Sequence, residues 1–126
     1  MVQPESVLVV SPDATSLEGL TRALTGNGLL VARALGWPEA ESRLRRLPVS
    51  VVVADLEELG PEELAQVRRL RSEFPNLGVI ALVSISGPEV RAAETQGLVR
   101  AVLEKPIAIA RLEESVKLAL ARTVSP

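Results

Sequence analysis

The chain has 126 residues (13.4 kDa), is 47% hydrophobic but only 2% aromatic, carries a net charge of −2, and contains no His, Cys or Tyr. The missing His and Cys exclude thiol nucleophiles, imidazole acid/base pairs, Ser/His/Asp triads and thiolate or imidazole zinc sites, leaving carboxylate chemistry and oxygen-ligated Mg²⁺ or Ca²⁺. The acidic balance and the lack of stacking aromatics argue against direct nucleic-acid binding, and the length suits one domain over 1–126 whose core needs no staple.

In chain order, the first element is the aliphatic run Val7-Leu8-Val9-Val10, a strand, followed by Leu17, Leu20 and Leu24 on one helical face. Gly26 and Gly28 provide a stop for that helix. Leu29-Leu30-Val31-Ala32 is the second strand; Pro38-Glu39 then opens a charge-rich helix in which Glu39/Arg43 and Glu41/Arg45 lie four apart, as ion pairs on a solvated face do. Val51-Val52-Val53-Ala54 is the third strand. Pro61-Glu62 starts a helix with Leu64, Val67 and Leu70 inward, Val79 to Val83 is the fourth strand, and Pro88-Glu89 starts the next helix. Val99 to Leu103 and a helix carrying Leu112, Val116, Ala119 and Leu120 complete the pattern. Each Pro-Glu pair sits where proline is tolerated and an acid meets the positive helix end.

Continuous β-branched runs without alternation suit strands covered on both faces. Five such βα units predict a doubly wound parallel sheet, with the flavodoxin-like order 2-1-3-4-5. That order puts the second and fifth strands at the edges, where Arg33 and Arg100 follow or interrupt the aliphatic runs. The longest uncharged stretch, Phe74 to Pro88, holds two prolines, an asparagine and two glycines, and is too short to span a bilayer. Glu5 and the four-residue run after it do not make a signal peptide, so a cytoplasmic location is expected.

In such sheets the functional crevice lies beyond the C-terminal strand ends, where strand order reverses. The segments arriving there are Ser11-Pro12-Asp13, Asp55, Val83-Ser84 and Lys105-Pro106, so one carboxylate and one lysine should meet. The first loop has no glycine, and neither GxGxxG nor GxxxxGK[ST] occurs, which argues against a nucleotide site.

These segments, with Val7 to Val10 opening the chain, Val51 to Asp55, Val79 to Ser84 and Leu103-Glu104-Lys105-Pro106 in matching register, resemble the receiver domain of bacterial two-component response regulators over essentially the whole length. The resemblance implies that Asp55 is the candidate phosphoacceptor and Lys105 the phosphate-contacting or ion-pairing lysine, with Lys105-Pro106 joined in cis. It also exposes departures. Ser11 and Pro12 stand where the family carries an acidic pair, Val83 replaces a Thr or Ser, and Val102 replaces the aromatic switch residue.

Phosphorylating a carboxylate is mainly positioning and electrostatic stabilisation, and Mg²⁺ held by carboxylates normally supplies the positive charge. With both acids gone, Asp55 is the only matched carboxylate; Asp13 is an auxiliary ligand candidate or simply helix-start electrostatics beside Pro12. Ser84 either substitutes for the lost hydroxyl through a one-residue shift or leads into the following loop. Arg43, Arg45, Arg46, Arg68, Arg69 and Arg71 read as solvated helix faces rather than a phosphate surface. Trp37 shields the start of the second helix or anchors a partner.

The leading reading is a degenerate, non-enzymatic receiver that acts through protein–protein interaction, with impaired Mg²⁺-dependent phosphorylation and no required cofactor or metal. By resemblance its partners are a sensor histidine kinase, an output domain or another regulator, and the 88–122 surface is the place for a partner or a homodimer. A functional receiver phosphorylated on Asp55 with Mg²⁺ is the alternative. A small-molecule-binding or phosphotransfer domain on the same fold is a third reading, from another class.

Overall fold

The computed structural model describes residues 6–26 and 29–123, with side chains to Ala121. The five aliphatic runs form β1 (Ser6–Val10), β2 (Leu30–Ala34), β3 (Val51–Asp55), β4 (Gly78–Val83) and β5 (Ala101–Glu104), alternating with α1 (Ala14–Thr25), α2 (Trp37–Arg46), α3 (Pro61–Glu73), α4 (Pro88–Thr95) and α5 (Ile109–Thr123). The strands are parallel in the order β2-β1-β3-β4-β5, so the predicted flavodoxin-like topology is correct, edges included.

Every residue of β1, β3 and β4 is buried, because helices cover both faces of the sheet. Successive side chains feed two separate cores. Leu8, Val10, Val52, Ala54, Ala81 and Val83 pack with α2, α3 and α4. Val7, Val9, Val51, Val53, Ile80 and Leu82 pack with Leu17 and Leu24 of α1 and Leu112, Val116 and Leu120 of α5. A fully buried aliphatic side chain of this kind contributes about 1.5–3 kcal/mol, so the two layers dominate stability. The edge strand β2 is far less covered, and Leu30 and Arg33 are exposed.

Helix starts follow the expected chemistry. Pro38, Pro61 and Pro88 lie in the first turns of α2, α3 and α4. Glu63 reaches back to accept the Gly60 N–H at 3.1 Å. Gly36, before α2, has φ 86°, a left-handed conformation that favours glycine. α1 stops at Gly26 as expected, with that residue right-handed at φ −62°, and Gly28 lies outside the described residues. Among the described residues no helix is long and apolar enough to cross a membrane.

The charges of α2 depart from the simple i,i+4 reading. Glu39 and Arg43 do pair, at 3.1 Å. Glu41 and Arg45 instead turn to α3, since Glu41 faces that helix: it accepts from Arg69 (2.7 Å) and Gln66 (3.1 Å), and Arg45 binds Glu73 (3.1 Å). The two helices are thereby cross-linked over the outer surface. Trp37 is half-buried against the α2–α4 core, which fits the shielding role.

Candidate functional site

The register between β1 and β3 sets Val10 beside Ala54, so the next residues, Ser11 and Asp55, emerge side by side at the C-terminal end of the sheet. Ser11 is tethered by its backbone N–H to the carbonyl of Ala34 at 3.1 Å and is fully buried. Its hydroxyl donates to Asp55 Oδ2 at 2.8 Å and accepts the Asp13 N–H at 3.1 Å. Lys105 arrives from the far side of the sheet; its backbone N–H binds the Val83 carbonyl at 2.7 Å, and the peptide bond to Pro106 is cis. Its ammonium Nζ lies 2.6 Å from Asp55 Oδ1, with side-chain exposures of 30% for the lysine and 9% for the aspartate.

Both oxygens of the Asp55 carboxylate therefore have a donor from this chain, one charged and one neutral. Burial strengthens such bonds and penalises loss of either partner. The site opens into a cavity of 260 Å³ lined by Ser16, Leu20, Leu82 and Ile107 beside Asp55 and Lys105. Its walls are largely aliphatic.

Mg²⁺ takes near-octahedral oxygen ligands including one or two carboxylates, and Asp55 supplies one such group here. The Asp55 carboxylate is paired with an ammonium group, Ser11 points its proton at that carboxylate, and Pro12 has no side-chain oxygen to offer. Asp13 is the N-cap of α1 rather than part of its first turn: its Oδ2 accepts the Ser16 hydroxyl at 2.7 Å and the Ser16 N–H at 3.3 Å. The Ser16 hydroxyl foremost, and then its N–H, hold the Asp13 carboxyl below its ordinary value of 3.8. Among the described residues no three His, Cys, Asp or Glu side chains gather as a metal cluster.

Val83 is fully buried in the α2–α4 core, on the sheet face opposite the one lined by Val51 and Val53. Ser84 lies just past the end of β4, is exposed, and donates its backbone N–H to Glu57 O at 2.9 Å. Val102 is half-buried and borders a 460 Å³ cleft between α4 and β5, together with Pro88, Val90, Arg91 and Glu94. Thus Ser11, Asp55 and Lys105 converge, with Asp13 one hydrogen bond behind them, while Val83, Ser84 and Val102 stand apart. The Ser11–Asp55 bond was not anticipated from the sequence, although the parallel register alone sets the two residues abreast.

No protein-family model matches the sequence, and no curated protein does either. Solved structures match closely in shape. A response regulator from Thermotoga maritima superposes with a TM-score of 0.81 at 26% identity, covering 94% of this chain and 99% of that one. A putative pilus assembly-related protein from Burkholderia pseudomallei gives 0.83 at 24%, covering 96% and 92%. The signal receiver domain of an HD domain-containing protein from Pseudomonas fluorescens gives 0.84 at 20%, covering 96% and 98%. The resemblance to response-regulator receiver domains extends over most of the chain, and the fold is theirs.

Proposed function

We propose that this chain is a receiver-type signalling module that acts through protein–protein contacts and whose Asp55 is impaired for Mg²⁺-dependent phosphorylation. The observation that carries the reading is the pair of bonds closing Asp55: the Ser11 hydroxyl on Oδ2 and the Lys105 ammonium on Oδ1. Nucleophilic attack on a phosphoryl group brings further negative charge to this spot. Among the described residues Lys105 is the cation paired with Asp55, and the positions of an acidic pair hold a hydroxyl and a proline. The domain itself is non-catalytic.

The contact surface follows from what remains exposed. On the 88–122 surface, Ile109 and Leu118 are 56% and 57% exposed on α5, and α4 and β5 form a cleft around Val102. Partners on this reading are a sensor kinase, an output domain, another regulator or a second copy of the chain.

The test is calorimetric titration with beryllofluoride and Mg²⁺. No saturable Mg²⁺-dependent binding is expected for the wild type, and the double variant Ser11→Asp, Pro12→Asp is expected to gain it. Tight binding by the wild type that disappears in Asp55→Ala would overturn the reading. The retained Asp55–Lys105 pair favours one rival, a working phosphoacceptor. A mobility shift on phosphate-affinity gels after acetyl phosphate treatment, absent in Asp55→Asn, decides for that rival.

A further inference from the structure

At the opposite end of the sheet, Arg71 and Arg100 lie near one another, and among the described residues no carboxylate pairs with either. Arg71 projects from the last turn of α3 and donates from Nη1 to the carbonyl of Gly97 at 3.3 Å, in the turn that follows α4. Gly97 holds φ 74° there, so the turn is a defined one. Three residues on, Arg100 is anchored by its backbone N–H to the Val79 carbonyl at 2.7 Å, just before β5 begins. Both side chains are half-buried, and the Nε–H of each is buried without an acceptor among the described residues.

Comparison with Arg43 shows what is unusual. Its Nε is also buried and unbonded, but its guanidinium is neutralised by Glu39 at 3.1 Å. Among the described residues neither Arg71 nor Arg100 has an acidic partner. Burial, and then the nearby charge of Arg100, hold the Arg71 guanidinium below its ordinary value. Like charges drawn together with inward N–H donors unspent are costly in isolation. An oxyanion with at least two acceptor oxygens relieves both costs, since it neutralises the pair and accepts from guanidinium donors of each.

We propose that Arg71 and Arg100, between the end of α3 and the turn after α4, form a binding site for an oxyanion, either a phosphate or a carboxylate. The site is remote from Asp55 and independent of whether that residue is phosphorylated.

The test reads the arginine Nε–Hε signals by NMR in the intact chain while inorganic phosphate and acetate are titrated separately against chloride at constant ionic strength. Arg71→Lys and Arg100→Lys assign the two signals, because each removes one while keeping the charge. Both signals are expected to shift together and saturate with at least one of the two oxyanions. Saturation by phosphate alone assigns a phosphate site, and by acetate alone a carboxylate site. Either lysine variant is expected to weaken that binding about tenfold, the equivalent of one charge-assisted hydrogen bond. Wild-type signals that only follow the chloride control overturn the proposal, as does unchanged affinity in both lysine variants. If the arginines serve only to neutralise the two helix ends, the variants lower the melting temperature and nothing saturates, which also overturns it.

Discussion

Replacing Ser11 by alanine removes one oxygen and little volume, so the perturbation falls almost wholly on hydrogen bonding. The lost bond is a 2.8 Å donation to a buried carboxylate that is 9% exposed. Hydrogen bonds to charged groups contribute about 1.5–3 kcal/mol, and the Asp13 N–H, at an exposed residue, can turn to water, so a loss of about 2 kcal/mol is expected. For a domain of this size that is a fall in melting temperature of roughly 6–8 °C. Urea denaturation monitored by circular dichroism checks it, with an unchanged slope showing that stability rather than compactness was altered. The decisive arm is a cycle with Asp55→Ala. Once the carboxylate is gone, Ser11→Ala should cost less than about 1 kcal/mol, giving a coupling above roughly 1 kcal/mol. Equal costs in the two backgrounds would refute the claim that the hydroxyl acts on Asp55.

Lys105→Met breaks an ion pair with one partly exposed member, so about 1–2 kcal/mol is expected after allowing for solvent screening, and a urea-derived loss below about 0.5 kcal/mol contradicts the pairing. Val102→Phe extends into the 460 Å³ cleft beside α4 and should change stability by less than about 1 kcal/mol in thermal melts, whereas overpacked cores lose 1–3. Asp13 has a folded-state pKa below its ordinary 3.8, so its stabilisation is complete above that pH and is lost as pH falls through the lower folded value. Asp13→Asn keeps a capping oxygen but cannot titrate, so the stability difference from wild type should shrink on acidification; a constant difference across the acid range removes the assignment.

The βα order was legible because burial on both faces leaves uninterrupted aliphatic runs, and because the Pro-Glu pairs punctuate three helices. Strand limits were less so. β5 begins at Ala101 rather than Val99, with Val99 buried ahead of it and Arg100 held by the Val79 carbonyl. The meeting of Asp55 and Lys105 followed from topology, since strand order alone converges their C-terminal ends. Ser11 was readable as the loss of an acid but not as the gain of a donor, because where a hydroxyl points depends on the backbone tether to Ala34. Glu41 shows the same limit at the surface: its spacing from Arg45 permits an intrahelical pair, and only the packing of α2 against α3 decides for Arg69 and Gln66.

The ionic cross-links between α2 and α3 carry a consequence for how the molecule opens. β2 is the least covered strand, and the helix following it adds to its buried packing two ionic links to its neighbour, Glu41 with Arg69 and Arg45 with Glu73. Three of the four side chains in these pairs are well exposed, so added salt weakens the pairs, whereas the aliphatic layers under β1, β3 and β4 respond far less. Ionic strength therefore acts on this margin of the sheet more than on its centre. Amide exchange in β2 and α2 should accelerate with salt while the central strands keep their protection, so the protein has a built-in boundary between a rigid interior and a margin tuned by its ionic surroundings.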